Sequence, residues 1–278
     1  MRRAAETRET GSFAANRAVG RIALEVVSEA GRSRRARVRE EGSLRVRFPG
    51  HPARQLEAVV INTAGGVAGG DTYALDVTVG EDAALVLTTA AAEKIYRAID
   101  DDATMTLRLR AAAGGELSWL PRETILFDRA QLARSIDVHL APGAKFLAAE
   151  AVLFGRAAMG EEVASGRFVD RWRVRRGGEL VYAETVRLDG AISRELAKAA
   201  VAAGGLAYAT ILMSPADERF VSALRAAEPR MRGEVGVSSW NGLTLARFLA
   251  RDGESLRHDM MVALNIALSG PLPRLWLN

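Results

Sequence analysis

Apolar and polar residues alternate with a period of two through the first two thirds of this chain. The pattern recurs in residues 73–79, 105–110, 136–140 and 171–175, and turn signals rich in glycine and proline separate these segments. A period of two places alternate side chains on opposite faces of a strand, so each segment has one face to bury. Because no helical pattern lies between the segments, the sequence favours stacked antiparallel or mixed β-sheets over a βαβ fold.

The pattern changes in the last third of the chain. Ser214-Pro215-Ala216-Asp217 predicts a helix start, with Ser214 as the N-cap, a proline at the first helical position and an acid three residues after the cap. A second helix is expected from about Glu254 to Leu268, and residues 235–240 and 243–249 are expected to be strands. The predicted fold is mainly β (α+β): one elongated domain over residues 19–278 with about two helices near the C-terminus, preceded by a disordered tail at residues 1–18.

Charge and composition limit the classes of function. The formal net charge is +4 and no cysteine is present, which excludes disulfides, thiolate metal sites and cysteine nucleophiles. Residues 1–48 are strongly basic, but their arginines alternate with apolar residues, as in Leu44-Arg45-Val46-Arg47-Phe48, which is typical of an outward strand face. Binding of a polyanion such as nucleic acid remains the alternative for these strands. The start of the chain has no apolar signal segment, so a soluble, cytoplasmic protein without a membrane span is expected.

The stretch INTAGGVAGGDT, residues 61–72, resembles a phosphate-binding loop in its glycines, Gly65, Gly66, Gly69 and Gly70. A P-loop needs a lysine after its last glycine, and Asp71 stands there, where a carboxylate would repel phosphate. The alternation that follows predicts a strand, whereas a P-loop opens a helix. The sequence therefore predicts a tight turn that holds Asp71 between two strands.

Motifs for catalysis are absent from the sequence. The three histidines have no metal-binding spacing, and no nucleophile elbow is present. Several acids lie beside apolar segments and could face inward, or could form surface ion pairs with nearby arginines. They include Asp71, Glu93, Glu123, Glu150 and Glu184. An enzyme of another kind stays open as a third class, and it would need a pocket with convergent acid and base groups.

Six stretches in order resemble the urease accessory protein UreD (UreH) family. They are NTAGGVAGGD, LTTAAAEKIYRA, LPRETILFDRA, APGAKFLAAEAVLFGRAAMGE, DRWRVRRGGELVYAETVRLDG and WNGLTLARFLA, followed by the tail LPRLWLN. The resemblance implies a mainly β protein that is not an enzyme. It implies binding to the accessory protein UreF, through UreF to the GTPase UreG, and to apo-urease. It also implies help in nickel delivery, with Ni²⁺ in transit and no tightly bound cofactor.

The resemblance also singles out individual residues. Asp71 matches the acid of the glycine motif, and Thr88, Thr89 and Lys94 match the Thr-Thr and Lys positions of the family pattern. Glu123, Glu150 and Glu184 match acids of later motifs. We hypothesise that Asp71, Glu123, Glu150 and Glu184 line a polar interior path on which oxygen ligands hold Ni²⁺ transiently, by analogy with channels, where binding must be weak enough for exit.

Overall fold

A computed structural model describes residues 17–50, 54–156, 159–268 and 270–277. The tail predicted for residues 1–18 lies outside this part, except for its last two residues. The strands of the described part are β1 (Val19–Glu29), β2 (Arg32–Gly42), β3 (Leu44–Arg47), β4 (Gln55–Asn62), β5 (Thr72–Val79), β6 (Ala84–Thr89), β7 (Glu93–Ile95), β8 (Ala103–Ala111), β9 (Glu116–Leu120), β10 (Thr124–Leu126), β11 (Gln131–Leu140), β12 (Lys145–Phe154), β13 (Gly166–Arg176), β14 (Glu179–Gly190), β15 (Ala207–Ser214), β16 (Glu234–Trp240) and β17 (Leu243–Ala250).

Three α-helices are present in the described part: α1 (Ile192–Leu196), α2 (Glu218–Ala226) and α3 (Gly253–Ala267). Two short 3₁₀ turns follow α2 and α3, at Glu228–Arg230 and Arg274–Trp276. The mainly β fold class is confirmed, and the second predicted helix agrees with α3 to within one residue at each end. None of the described helices is long and apolar enough to cross a membrane.

The strands form two stacked sheets. A seven-stranded sheet has the order β14-β13-β11-β8-β5-β1-β2, and a ten-stranded sheet has the order β16-β17-β15-β12-β9-β6-β4-β3, with β10 paired to β12 and β7 paired to β10. Strands β1, β5, β8, β11 and β13 are parallel neighbours. The parallel pairs form without crossover helices, because the chain passes through the ten-stranded sheet between consecutive parallel strands of the seven-stranded sheet. Strands β6, β9 and β12 make these connections.

Alternation of side chains along the strands produces two apolar layers, one between the sheets and one between the ten-stranded sheet and the helices. Inward residues of both sheets, such as Leu24, Val77, Phe146 and Phe168, form one apolar layer between the sheets. The ten-stranded sheet is buried on its other face too, where α2 and α3 pack and supply Phe220 and Leu264, among others. In β12 this produces a nearly continuous buried run, because one set of side chains faces each layer.

The first C-terminal helix begins later than predicted. Ser214 is not the N-cap: it ends β15, pairs with Phe146 of β12 and is buried. Asp217 caps α2 instead, and its Oδ1 accepts hydrogen bonds from the backbone N–H groups of Arg219 (2.9 Å) and Phe220 (3.0 Å). Sheet pairing therefore prevails over the local capping signal at Ser214.

Candidate functional site between the sheets

Hydrogen bonds to the Asp71 carboxylate fix the glycine loop between β4 and β5. Asp71 Oδ2 accepts a hydrogen bond from the backbone N–H of Ala68, and its Oδ1 accepts one from Ala18 at the start of β1, both at 2.8 Å. Gly70 has φ +82°, a conformation that favours glycine, and a Cβ on Gly69 would lie 2.6 Å from the Cβ of Ala98. Asp71 is 4% exposed. Its carboxylate thus joins the loop to β1.

Thr88 and Thr89 end β6 and pair with β4, and Lys94 on β7 contacts the glycine loop. Thr89 Oγ1 accepts from the N–H of Arg122 (2.8 Å) and donates to the carbonyl of Ala91 (3.0 Å). The Thr88 hydroxyl is buried and has no hydrogen-bond partner in the described part of the chain. Lys94 is exposed, and its carbonyl accepts from the N–H of Val67 at 2.8 Å.

Glu93, the neighbour of Lys94, faces the interior. Burial raises the pKa of its carboxyl from 4.5 to about 7, against the effect of a hydrogen bond from Asn62 Nδ2 at 3.2 Å. Asn62 Nδ2 also donates to the carbonyl of Gly66 at 3.0 Å. Glu93 is therefore coupled to the glycine loop through Asn62.

Arg134, Glu150 and Asp170 form a buried polar group that we call the inter-sheet cluster. Arg134 binds Asp170 through two hydrogen bonds, Nε–Oδ1 at 2.9 Å and Nη2–Oδ2 at 2.8 Å, and binds Glu150 through Nη1–Oε2 at 2.7 Å. Arg134 and Asp170 belong to the seven-stranded sheet, and Glu150 belongs to the ten-stranded sheet. The cluster thus crosses the apolar layer between them.

Tryptophan side chains complete the cluster. Trp119 Nε1 donates to Glu150 Oε1 at 2.6 Å, and Trp172 Nε1 donates to Asp170 Oδ2 at 3.2 Å. Burial raises the pKa of Glu150 despite the opposing charge of Arg134. Burial also raises the pKa of Tyr208, whose hydroxyl is buried near the cluster and has no hydrogen-bond partner in the described residues. Two carboxylates share one guanidinium, so the fully ionised cluster carries one excess negative charge.

A cavity of about 60 Å³ lies between the sheets beside this cluster. Tyr73, Thr89, Glu93, Arg134 and Glu150 are among the residues that line it. Since a buried water needs polar partners and a few tens of Å³ at most, this cavity has room for more than one water. It joins the surroundings of Glu93 to those of the inter-sheet cluster.

Glu184 forms a second link between the sheets. Tyr182 donates its hydroxyl proton to Glu184 Oε2 at 2.5 Å, and Arg247 forms an ion pair with Glu184 Oε1. Glu184 lies on β14 and Arg247 on β17, so this pair ties the ends of the two sheets together. Burial, followed by the contact with Glu184, raises the pKa of Tyr182.

Glu123 lies towards the helical layer. Its carboxylate pairs with Arg122 Nε and with Arg257 Nη1 of α3, both at 3.3 Å. Arg257 Nη2 also donates to the carbonyl of Trp276 at 2.6 Å. Glu123 therefore helps to attach α3 and the C-terminal segment to the sheet.

The four acids predicted to line a path do not meet at one point. Glu150 and Glu184 lie between the sheets, Asp71 lies at the glycine loop and Glu123 lies near α3. Across the described ranges, no group of three or more His, Cys, Asp or Glu residues is placed to hold a metal ion. The path through these acids stays a prediction.

Sequence analysis missed Arg134 and Asp170, although a signal was present. Arg134 has the same parity as Leu132 and Ile136, and Asp170 the same parity as Trp172. A charged residue in the inward register of an alternating strand indicates a buried partner. By contrast, Arg45 and Arg47 of β3 alternate with buried Leu44 and Val46, as expected for an outward face.

Comparisons with known proteins identify the family of this chain. The model of the family described as "UreD urease accessory protein" matches residues 18–277. The chain is 55% identical over 273 residues to "Urease accessory protein UreD" of Rhodopseudomonas palustris (strain BisB18), covering 98% of this chain and 99% of that protein. It is 53% identical to "Urease accessory protein UreD 3" of Bradyrhizobium sp. (strain BTAi1 / ATCC BAA-1182), with 96% of each chain covered.

These matches place the chain among accessory proteins with a role in urease maturation. The chain belongs to the UreD family.

Proposed function

We propose that this protein is a non-enzymatic, cytoplasmic urease maturation factor. It binds UreF and, through UreF, the GTPase UreG, and it docks on apo-urease to assist nickel delivery into the active site. The observation that carries the proposal is the family match from residue 18 to residue 277.

The hydrogen bonds of Asp71 and Glu150 support a structural role for these two acids rather than general-base catalysis. A general base needs a carboxylate that can take up a proton from a substrate. Asp71 is occupied by backbone N–H groups, and Glu150 is occupied by Arg134 and Trp119. Carboxylates held in this way are not placed to take up a proton from a substrate.

Nickel is the cargo in this proposal, and no tightly bound cofactor is required. Carboxylate oxygens bind first-row metals more weakly than imidazole or thiolate, so they suit transient contact. We place the transit route between the sheets, past Glu150 and Glu184 and through the cavity at Glu93, with Asp71 and Glu123 at its ends. Glu93 is suited to exchange a proton for a cation, because its pKa is about 7.

Co-expression with UreF, followed by size-exclusion chromatography, tests the scaffold role. A complex that elutes as one species, and that also retains UreG when UreG is added, is the expected result. Separate elution of the two proteins at both low and physiological salt would contradict the proposal.

Nickel-dependent activation of apo-urease tests the route. Glu93→Gln and Glu150→Gln remove ionisable oxygens between the sheets at nearly constant volume, and Glu116→Gln is the control, since Glu116 pairs with Lys145 and Arg54 at the surface. We expect slower activation in the first two variants at unchanged UreF binding, and the normal rate in the control. Normal rates in all three variants would exclude this route.

A further inference from the structure

The outer face of the seven-stranded sheet is not covered by any described element. Its central strands β1, β5, β8, β11 and β13 are parallel, and parallel sheets are normally covered on both faces. Here α2 and α3 pack on the other sheet. Of the outward side chains of the face, Arg108, Arg110 and His139 are exposed, and Asp76, Asp137, Arg173 and Arg175 are half-buried.

Strand register arranges the outward residues in rows across the sheet. One row places Arg110, His139 and Arg175 side by side on β8, β11 and β13, and we call it the basic row. The adjacent row alternates in charge, with Asp76, Arg108, Asp137 and Arg173 on successive strands, and we call it the mixed row.

The basic row has unused capacity for anionic groups. Arg110 lies 3.9 Å from Asp76, a distant contact, while His139 and Arg175 have no ion-pair partner among the described residues. In the mixed row the acids are engaged: Asp76 contacts Arg108 at 3.4 Å and Asp137 contacts Arg171 at 3.2 Å. Positive charge is therefore available along the basic row.

The size of the face fits a stable protein interface. Seven strands at a spacing of about 4.8 Å, with about eight residues each at about 3.3 Å, span on the order of 800 Å². One side of a standard protein–protein interface buries about the same area.

We propose that this face docks a flat, acidic protein surface, whose carboxylates pair with the basic row. The inference rests on the proposed function, because the partner is sought among the proteins named there. A protein surface fits better than a nucleic acid, since Asp76 and Asp137 would face the phosphates of a continuous backbone. The two rows also carry no tryptophan, tyrosine or phenylalanine on which a base could stack.

Charge reversal on the basic row tests this assignment. The variant R110E/R175E is compared with R219E/R251E, which makes the same change of charge at exposed arginines away from the face. A milder variant, R110Q/R175Q, guards against loss of folding, and thermal unfolding checks all three. Binding of the full chain to purified apo-urease, UreF and the UreF–UreG complex is measured at low and physiological salt, with a duplex DNA as a further probe.

We expect at least one of these protein associations to weaken about ten-fold or more in R110E/R175E at low salt, less in R110Q/R175Q and less than about two-fold in R219E/R251E. Wild-type protein binding that every variant retains would overturn this assignment and leave the proposed function intact. A charge-reversal effect confined to duplex DNA would assign the face to nucleic acid instead and overturn it too. A wild-type chain that binds none of the proteins would overturn the proposed function and this assignment together.

Discussion

Arg134 and Glu150 join the two sheets through the middle of the apolar core. The two residues lie on β11 and β12, and their Nη1 and Oε2 atoms are 2.7 Å apart with both side chains about 5% exposed or less. Taking two charges out of water is costly, and the cost is offset only if all the polar atoms find partners. Asp170 accepts a hydrogen bond from Arg134, and Trp119 donates one to Glu150, so both residues have further partners.

Loss of the Arg134 guanidinium alone should lower the free energy of unfolding more than loss of all three charges of the inter-sheet cluster. Arg134→Met leaves Glu150 and Asp170 buried without a cation, and we expect the free energy of unfolding to fall by about 3–5 kcal/mol. The triple variant R134M/E150Q/D170N should recover part of this loss, because no charge is then left unpaired. Urea unfolding measures both, with exposed Arg108→Met as a control expected to cost less than about 1 kcal/mol. A triple variant no more stable than R134M would contradict this account.

Asp71 should matter through its two hydrogen bonds rather than through its charge alone. Asp71→Asn keeps one acceptor, whereas Asp71→Ala leaves the N–H groups of both Ala18 and Ala68 without partners. Each orphaned buried donor costs about 1–3 kcal/mol, so the alanine variant should be the less stable. Amide hydrogen exchange at Ala18 and Ala68 is the direct measurement. Unchanged protection at both positions in Asp71→Ala would show that the clamp has no energetic role.

Glu93 should make stability depend on pH. Its pKa is about 7 in the folded chain against an ordinary value of 4.5, so the folded state holds the proton more tightly than the unfolded state. The free energy of unfolding should therefore fall as pH rises through the interval between these two values, by up to about 3 kcal/mol.

Glu93→Gln cannot ionise and isolates this effect. The stability of the variant relative to the wild type should increase from pH 5 to pH 8, as measured by denaturant unfolding at each pH. A stability difference that stays constant over this range would mean that Glu93 does not titrate there.

Trp276 should anchor the C-terminal segment. It is 2% exposed, and its Nε1 donates to the carbonyl of Leu120 at 2.9 Å. We expect Trp276→Ala to cost about 3–5 kcal/mol, and Trp276→Phe to cost much less because most of the ring volume stays. Leu277 next to it is 64% exposed, so Leu277→Ala should change stability by less than about 0.5 kcal/mol. Similar effects of Trp276→Ala and Leu277→Ala on thermal unfolding would contradict this.

Local patterns predict much of this fold, because alternation and capping are encoded within a few residues. The segments at 73–79, 136–140 and 243–249 all lie in strands, and α3 follows its apolar stripe. The parallel order of β5, β8 and β11 could not be predicted in this way. This order depends on which strands of the ten-stranded sheet connect β5, β8 and β11 along the chain, and long-range packing determines those connections.

The candidate site, too, could be predicted from local patterns only in part. Glu150 could be named as an inward acid from its apolar neighbours, but its partner Arg134 lies on another strand in the opposite sheet. Pairing across a core is fixed by strand order and register, which no local pattern specifies. The parity of Arg134 with its apolar neighbours indicates burial and leaves the partner unknown.

The winding of the chain between the sheets has a consequence for how the protein is made. From β5 to β13 each turn of the chain adds a strand to both sheets, so the two sheets lengthen together over this part of the chain. During synthesis the sandwich can grow from its N-terminal side as a single cooperative unit, with both sheets lengthening in step. The layer that holds α3 and Trp276 is translated after all the strands, so the outer face of the ten-stranded sheet stays uncovered while the two sheets form.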